Sequence, residues 1–172
     1  MGGHVMTLWI SRIFILAAFT FSTTSNAIST TPATGVYEDD LGSLYGAIKT
    51  IGFIYEICSE SFPELRPQIN DAYISWRARY KPFHQEVKLR MNNVLLMDSG
   101  GNLSRRADEE AQLNDAMQVL KGKIREMYTK GGAISFKEAC MRYPTSIEGS
   151  KWDIQKRYPD QVETIRAVHL DK

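Results

Sequence analysis

From Leu65 to Val94 the apolar residues Leu65, Ile69, Tyr73, Trp76, Tyr80, Phe83, Val87, Met91 and Val94 recur at steps of three or four. Such spacing lines up one face of an α-helix, whereas a half-buried strand would need every second position. Pro82 lies inside the run. A proline there removes one backbone hydrogen bond and crowds the carbonyl four residues back, at a cost of about 3 kcal/mol. The stripe keeps its phase from Trp76 across Pro82 to Val87, so one long helix kinked near Pro82 is expected, with two abutting helices as the alternative. Ser61 and Glu64 have the spacing of a capping box at its start, with Pro63 in the first turn and Pro67 marking a later alternative start.

A second stripe precedes it. Leu41, Leu44, Ile48, Ile51, Tyr55 and Cys58 follow helical steps, with Glu38, Asp39 and Asp40 in the first turn where negative charge suits the helix dipole. A helix over 38–59 is expected, with Cys58 facing the core. Gly42, Gly46 and Gly52 weaken it, or let a neighbouring helix approach closely. After the Gly100-Gly101 break, a third helix is expected over 105–130, capped by Ser104, with Ala107, Ala111, Leu113, Met117, Leu120, Ile124, Met127 and Tyr128 as its inner face. Ser135 and Glu138 have the form of a second capping box, for a short helix over 136–143 that carries Cys140 and stops at Pro144. Two further helical pieces are expected, around 147–158 and from 159 to about 170. No strand-like alternation and no internal repeat is evident. The expected fold is all-α: an up-and-down bundle of about four helices, its last side broken.

Residues 1–27 read as a signal peptide. Arg12 precedes a short apolar run, Ile13–Phe21, and Ser25-Asn26-Ala27 places small residues where a signal peptidase reads. The plainer alternative is an uncleaved anchor. Residues 28–37, rich in Ser and Thr, read as a flexible leader, and 38–172 as a single helical domain. Arg12 is the one charged residue of 1–27, so the remaining 145 residues carry 20 Lys and Arg against 20 Asp and Glu. That balance argues against nucleic acid as the main ligand and against electrostatic attachment to an anionic membrane. With an export signal, the two cysteines point to a Cys58–Cys140 disulfide and to a periplasmic or secreted location, without a stable membrane anchor once the signal is removed.

Chemistry-bearing motifs are scarce. The chain shows no zinc, haem-attachment, nucleophile-elbow or phosphate-loop signature, and beyond residue 27 only two histidines, His84 and His169. Met91, Met97, Met117, Met127 and Met141 are soft enough for Cu(I), but core filling is the plainer reading. Glu56, Glu60, Glu86 and Glu138 have no spacing that demands acid–base work. No cofactor is expected. Arg77, Arg79 and Lys81, interleaved with Trp76, Tyr80 and His84, suit an acidic partner surface; a solvated helix face is the plainer reading. Trp152 and Tyr158, in a turn-rich stretch, either close the core or meet a partner.

The function expected on these grounds is an exported helical binding protein acting through a surface, as an inhibitor, immunity or accessory protein of an envelope partner. Its candidate contacts are Arg77, Arg79, Lys81, His84, the 100–106 loop, Trp152 and Tyr158. The alternatives are a small envelope hydrolase using carboxylates and His84, and a carrier of a small ligand or metal.

Overall fold

A computed structural model describes residues 32–168. The expected signal peptide, the start of the leader and His169 lie outside the described residues. Among the described residues seven α-helices follow one another: α1 (Tyr37–Ser61), α2 (Arg66–Arg79), α3 (Lys81–Ser99), α4 (Leu103–Thr129), α5 (Gly132–Glu148), α6 (Ile154–Arg157) and α7 (Pro159–Ala167). Short 3-10 turns, Pro63–Leu65 and Ser150–Trp152, lead into α2 and α6. Among the described residues there is no strand.

Helix α1 is the central element, packed against α2, α3, α4, α5 and α7. Leu41, Leu44, Ile51, Ile57 and Cys58 on its inner face are fully buried. Burial of apolar area of this kind is the main source of stability. The end of the leader is tied down: Asp40, buried beneath the first turn, accepts from the Thr34 N–H at 2.9 Å and the Gly35 N–H at 3.2 Å. Gly52 admits a close neighbour, since a Cβ there would lie 3.0 Å from the Tyr73 hydroxyl, while a Cβ at Gly46 would meet nothing. Tyr73 stacks on Tyr55 with ring centroids 4.3 Å apart.

The long stripe is divided differently from the expectation. Two helices abut at Tyr80, whose φ of −104° and ψ of 14° leave the helical region. Pro82 has no N–H for the Ala78 carbonyl, and the chain yields two residues before it. Backbone bonds still cross the break, from the Tyr80 N–H to Trp76 and from the His84 N–H to Tyr80. The stripe therefore holds its phase, and Ile69, Trp76, Phe83, Val87, Met91 and Val94 all enter one core.

The expected helix ends need correction. Ser61 closes α1 rather than opening the next helix, and Glu64 pairs with Lys137 at 2.7 Å. Asn102, not Ser104, caps α4, its side chain accepting from the Arg105 N–H at 3.0 Å. Helix α5 begins at Gly132, ahead of Ser135, and runs straight through Pro144. Phe136, Cys140, Tyr143 and Ile147 make a buried stripe that spans the proline. The Tyr143 hydroxyl donates to the Ile51 carbonyl of α1 at 3.0 Å. Packing on both sides of Pro144 thus outweighs its local cost. On α4 the inner face runs through Glu109, Leu113, Met117, Leu120 and Ile124, leaving Ala107 and Ala111 outside. Glu109 is held there by Arg105 at 3.1 Å.

The disulfide joins Cys58 near the end of α1 to Cys140 in the middle of α5, with Cα atoms 5.4 Å apart and a sequence separation of 82. Closing a loop of that length removes unfolded-state entropy worth on the order of 4 kcal/mol in the chain-entropy model.

Candidate functional site

Two interruptions of helix meet at one place in the fold. One is the Tyr80 break between α2 and α3. The other is the Gly149–Asp153 connection between α5 and α6. They are bolted together by two long-range hydrogen bonds. The Trp76 indole N–H donates to the Trp152 carbonyl at 3.0 Å, and the Arg79 guanidinium donates to the Glu148 carbonyl at 2.9 Å. Irregular backbone leaves carbonyls without helical partners, and here side chains of the facing break satisfy them.

Aromatic rings fill the junction. Trp76, 2 % exposed, forms its floor. The His84 ring lies 4.5 Å from that of Trp76 and 6.4 Å from that of Tyr80. Cations flank the rings: Arg77 lies over Tyr73 at 5.8 Å, Arg79 over Tyr80 at 5.9 Å, and Arg157 over Trp152 at 5.4 Å. Contacts of this kind hold a guanidinium in place without neutralising it.

Arg77, Arg79 and Lys81 are exposed. Among the described residues none of the three has a carboxylate within ion-pair distance. The same holds for Lys88, two turns along α3 from Lys81, and for Lys151 beside Trp152. The seam between α1 and α4 is different. There Lys121 lies 2.6 Å from Glu56, and Arg125 pairs with Glu60. Glu60 is held below the usual carboxylate range, first by its hydrogen bond from Arg125.

The candidate residues are brought together in part: the 100–106 stretch lies at the other end of α3, away from the junction. Arg77, Arg79, Lys81, His84 and Trp152 border one junction. Tyr158 is 4 % exposed and belongs to the core, so it offers no ring to a partner. Lys88 and Lys151 were not singled out from sequence. The spacing of Lys88 from Lys81 would have revealed the first, while Lys151 sits in irregular backbone that has no periodicity to read.

His84 is half-buried, and its Nε2 is buried without a hydrogen-bond partner. Burial first, and the Arg77 charge second, hold its pKa at about 4 rather than 6.5. At neutral pH the ring is therefore uncharged. The carboxylates are engaged elsewhere. Glu86 takes Arg166 at 2.8 Å and Arg90 at 3.3 Å, and Glu138 faces Arg142 at 3.6 Å. Of the methionines, Met91 and Met117 are core residues, while Met97 and Met141 are exposed on different helices. Among the described residues, no three or more His, Cys, Asp or Glu side chains are grouped to hold a metal ion. Chemically, Arg77 and Arg79 lie over aromatic faces with no carboxylate partner among the described residues, an arrangement suited to carboxylates on a partner.

No protein-family model, no curated protein and no solved structure matches the chain.

Proposed function

We propose that this chain is an exported helical binding protein that acts through a protein surface, as an inhibitor, immunity or accessory protein of a partner in the cell envelope or outside the cell. The observation that carries the reading is the band of exposed cations, Arg77, Arg79, Lys81, Lys88 and Lys151, which have no carboxylate partner among the described residues, around the double break. In this reading the seven helices make a bundle of about four sides. Helices α2 and α3 form one broken side, and α5 to α7 form another. The breaks coincide so that the band is presented on rigid elements. The partner offers an acidic surface, and its carboxylates replace the ion pairs the band lacks.

A periplasmic or secreted location agrees with the disulfide, which oxidising compartments preserve. Among the described residues no helix is long and apolar enough to cross a membrane.

The test is capture of the partner from envelope and culture-supernatant extracts by residues 28–172, which contain the whole of the described core. Wild type is compared with the double variant Arg77→Glu/Lys81→Glu. The reading expects one stoichiometric partner, with capture reduced by at least about tenfold in the variant, the loss of two close charge pairs. Both side chains are exposed, so the thermal melt is expected to stay within a few degrees. Equal capture by the two proteins would remove the cationic band from the account.

A further inference from the structure

Helix α4 carries a bare acidic ridge. Between Ala107 and Gly122 its carboxylates are Asp108, Glu109, Glu110 and Asp115, and its one cation is Lys121. Glu109 is buried against Arg105, Glu110 pairs with Arg106, and Lys121 is held by Glu56. Asp108 and Asp115 are exposed, and neither has a Lys or Arg within ion-pair distance among the described residues. They stand seven residues apart on one uninterrupted helix, which is two turns, so they share a face at a spacing of about 10 Å. Ala111 lies between them, and a Cβ at Gly122 would meet nothing, so this side of α4 is low and open.

Helix α3 carries the counterpart. Lys81 and Lys88 are exposed, have no carboxylate partner among the described residues, and also stand seven residues apart on one helix. Arg77, one turn before Lys81, extends the ridge across the Tyr80 break, where backbone hydrogen bonds keep the helical phase. The one carboxylate between Arg77 and Asn92 is Glu86, and it is turned to Arg166 and Arg90. Leu89, beside Lys88, is 55 % exposed. Because the two spacings are equal, a single register of α3 against an α4 brings Lys81 to Asp108 and Lys88 to Asp115 together. Within one chain neither pair is closed.

We propose that a second copy of this chain lays the Asp108–Asp115 ridge of its α4 along the Lys81–Lys88 ridge of α3. Two observations favour a copy over a foreign protein. The cationic and acidic ridges have the same spacing and opposite charge, so each satisfies what the other lacks. Residues 28–172 carry 20 Lys and Arg against 20 Asp and Glu, so no net charge holds two copies apart. Glu110, turned to Arg106, lies off this contact. Two helix ridges bury well under the roughly 800 Å² per partner of a stable interface, so the association is weak and sensitive to salt. The contact uses two of the cations assigned above to an envelope partner, but it does not depend on that partner. Where both are present, they compete for Lys81 and Lys88.

The experiment is sedimentation velocity of purified residues 28–172, followed to about 0.5 mM protein because a contact this small is weak. Wild type is compared with Lys81→Gln/Lys88→Gln, with Asp108→Asn/Asp115→Asn, and with an equal mixture of the two variants. The proposal expects wild type to associate as its concentration rises and to return to monomer in about 0.5 M NaCl. Each variant alone should associate at least about tenfold more weakly. The mixture should regain a complex of the two variants, since each supplies the ridge the other has lost. All altered side chains are exposed, so the proteins should share one melting curve. A wild type that stays monomeric throughout would overturn the proposal and leave the two ridges to other proteins. Association that either variant leaves unchanged, or a mixture no more associated than its components, would overturn it as well. The measurement uses the chain alone, so its outcome is independent of whether an envelope partner is captured.

Discussion

His84 shows how one side chain reports on the double break. Its ring sits against Trp76, with Nε2 buried and unpartnered, and its pKa is held at about 4 by burial and then by Arg77. The unfolded chain takes up a proton near pH 6.5, while the folded chain resists until about pH 4. Stability is thus complete above pH 6.5 and falls as pH drops through that window, because the unfolded state binds the proton first. Allowing for the ring's remaining contact with solvent, the loss is about 1–2 kcal/mol. Urea unfolding of wild type and His84→Leu at pH 7.5 and pH 4.5 measures it. The variant should lose less stability than wild type over that interval, and identical losses would mean that His84 titrates normally. At this scale the sequence was informative where periodicity spoke. Arg77 and Lys81 fall off the apolar stripe and are exposed, while Trp76 falls on it and is buried. Tyr158 lies in a stretch without period, so nothing in the sequence alone distinguished a core ring from a contact ring.

Two prolines separate what helices reveal in advance from what they do not. Pro82 and Pro144 each interrupt an apolar stripe that continues in phase. At Pro82 the chain breaks at Tyr80, and at Pro144 helix α5 continues. The local chemistry is the same. The outcome differs because Tyr143 and Ile147 bracket Pro144 in the core, and the Tyr143 hydroxyl is fixed on α1. That compensation is tertiary and lies 92 residues away in sequence. Helix existence and inner face were legible for α1 to α3, where large side chains recur. On α4 the small residues Ala107 and Ala111 imitated a stripe that passes instead through Glu109. Caps were least legible, since Asn102 and Ser104 compete within one turn. Because Pro144 denies Cys140 a backbone hydrogen bond inside a helix already held by packing, Pro144→Ala should stabilise the fold. The gain, net of the unfolded chain's added freedom, is about 1–2 kcal/mol, read from the urea midpoint. A lowered midpoint would mean that the proline itself is required by the packing.

Across the whole molecule, α1 organises three features along its length. The disulfide and the aromatic contact between Phe62 and Phe136 close one end. The double break lies part-way along, and Met97 and Leu103 are exposed on either side of the turn between α3 and α4. Each follows from where the chain changes direction, because breaks and turns are where polar and apolar side chains escape the demands of a core. The all-α class and the pairing of Cys58 with Cys140 were readable from stripes and cysteine count. The meeting of the two breaks was not, since it depends on Trp76 reaching Trp152 across the fold. The central claim is that the cationic band at this meeting point receives a partner. A photo-crosslinking side chain placed at position 81, and separately at position 110 on α4, tests it directly in the presence of the captured partner. The account predicts a cross-linked complex from position 81 and none from position 110. A complex from position 110 alone would contradict it.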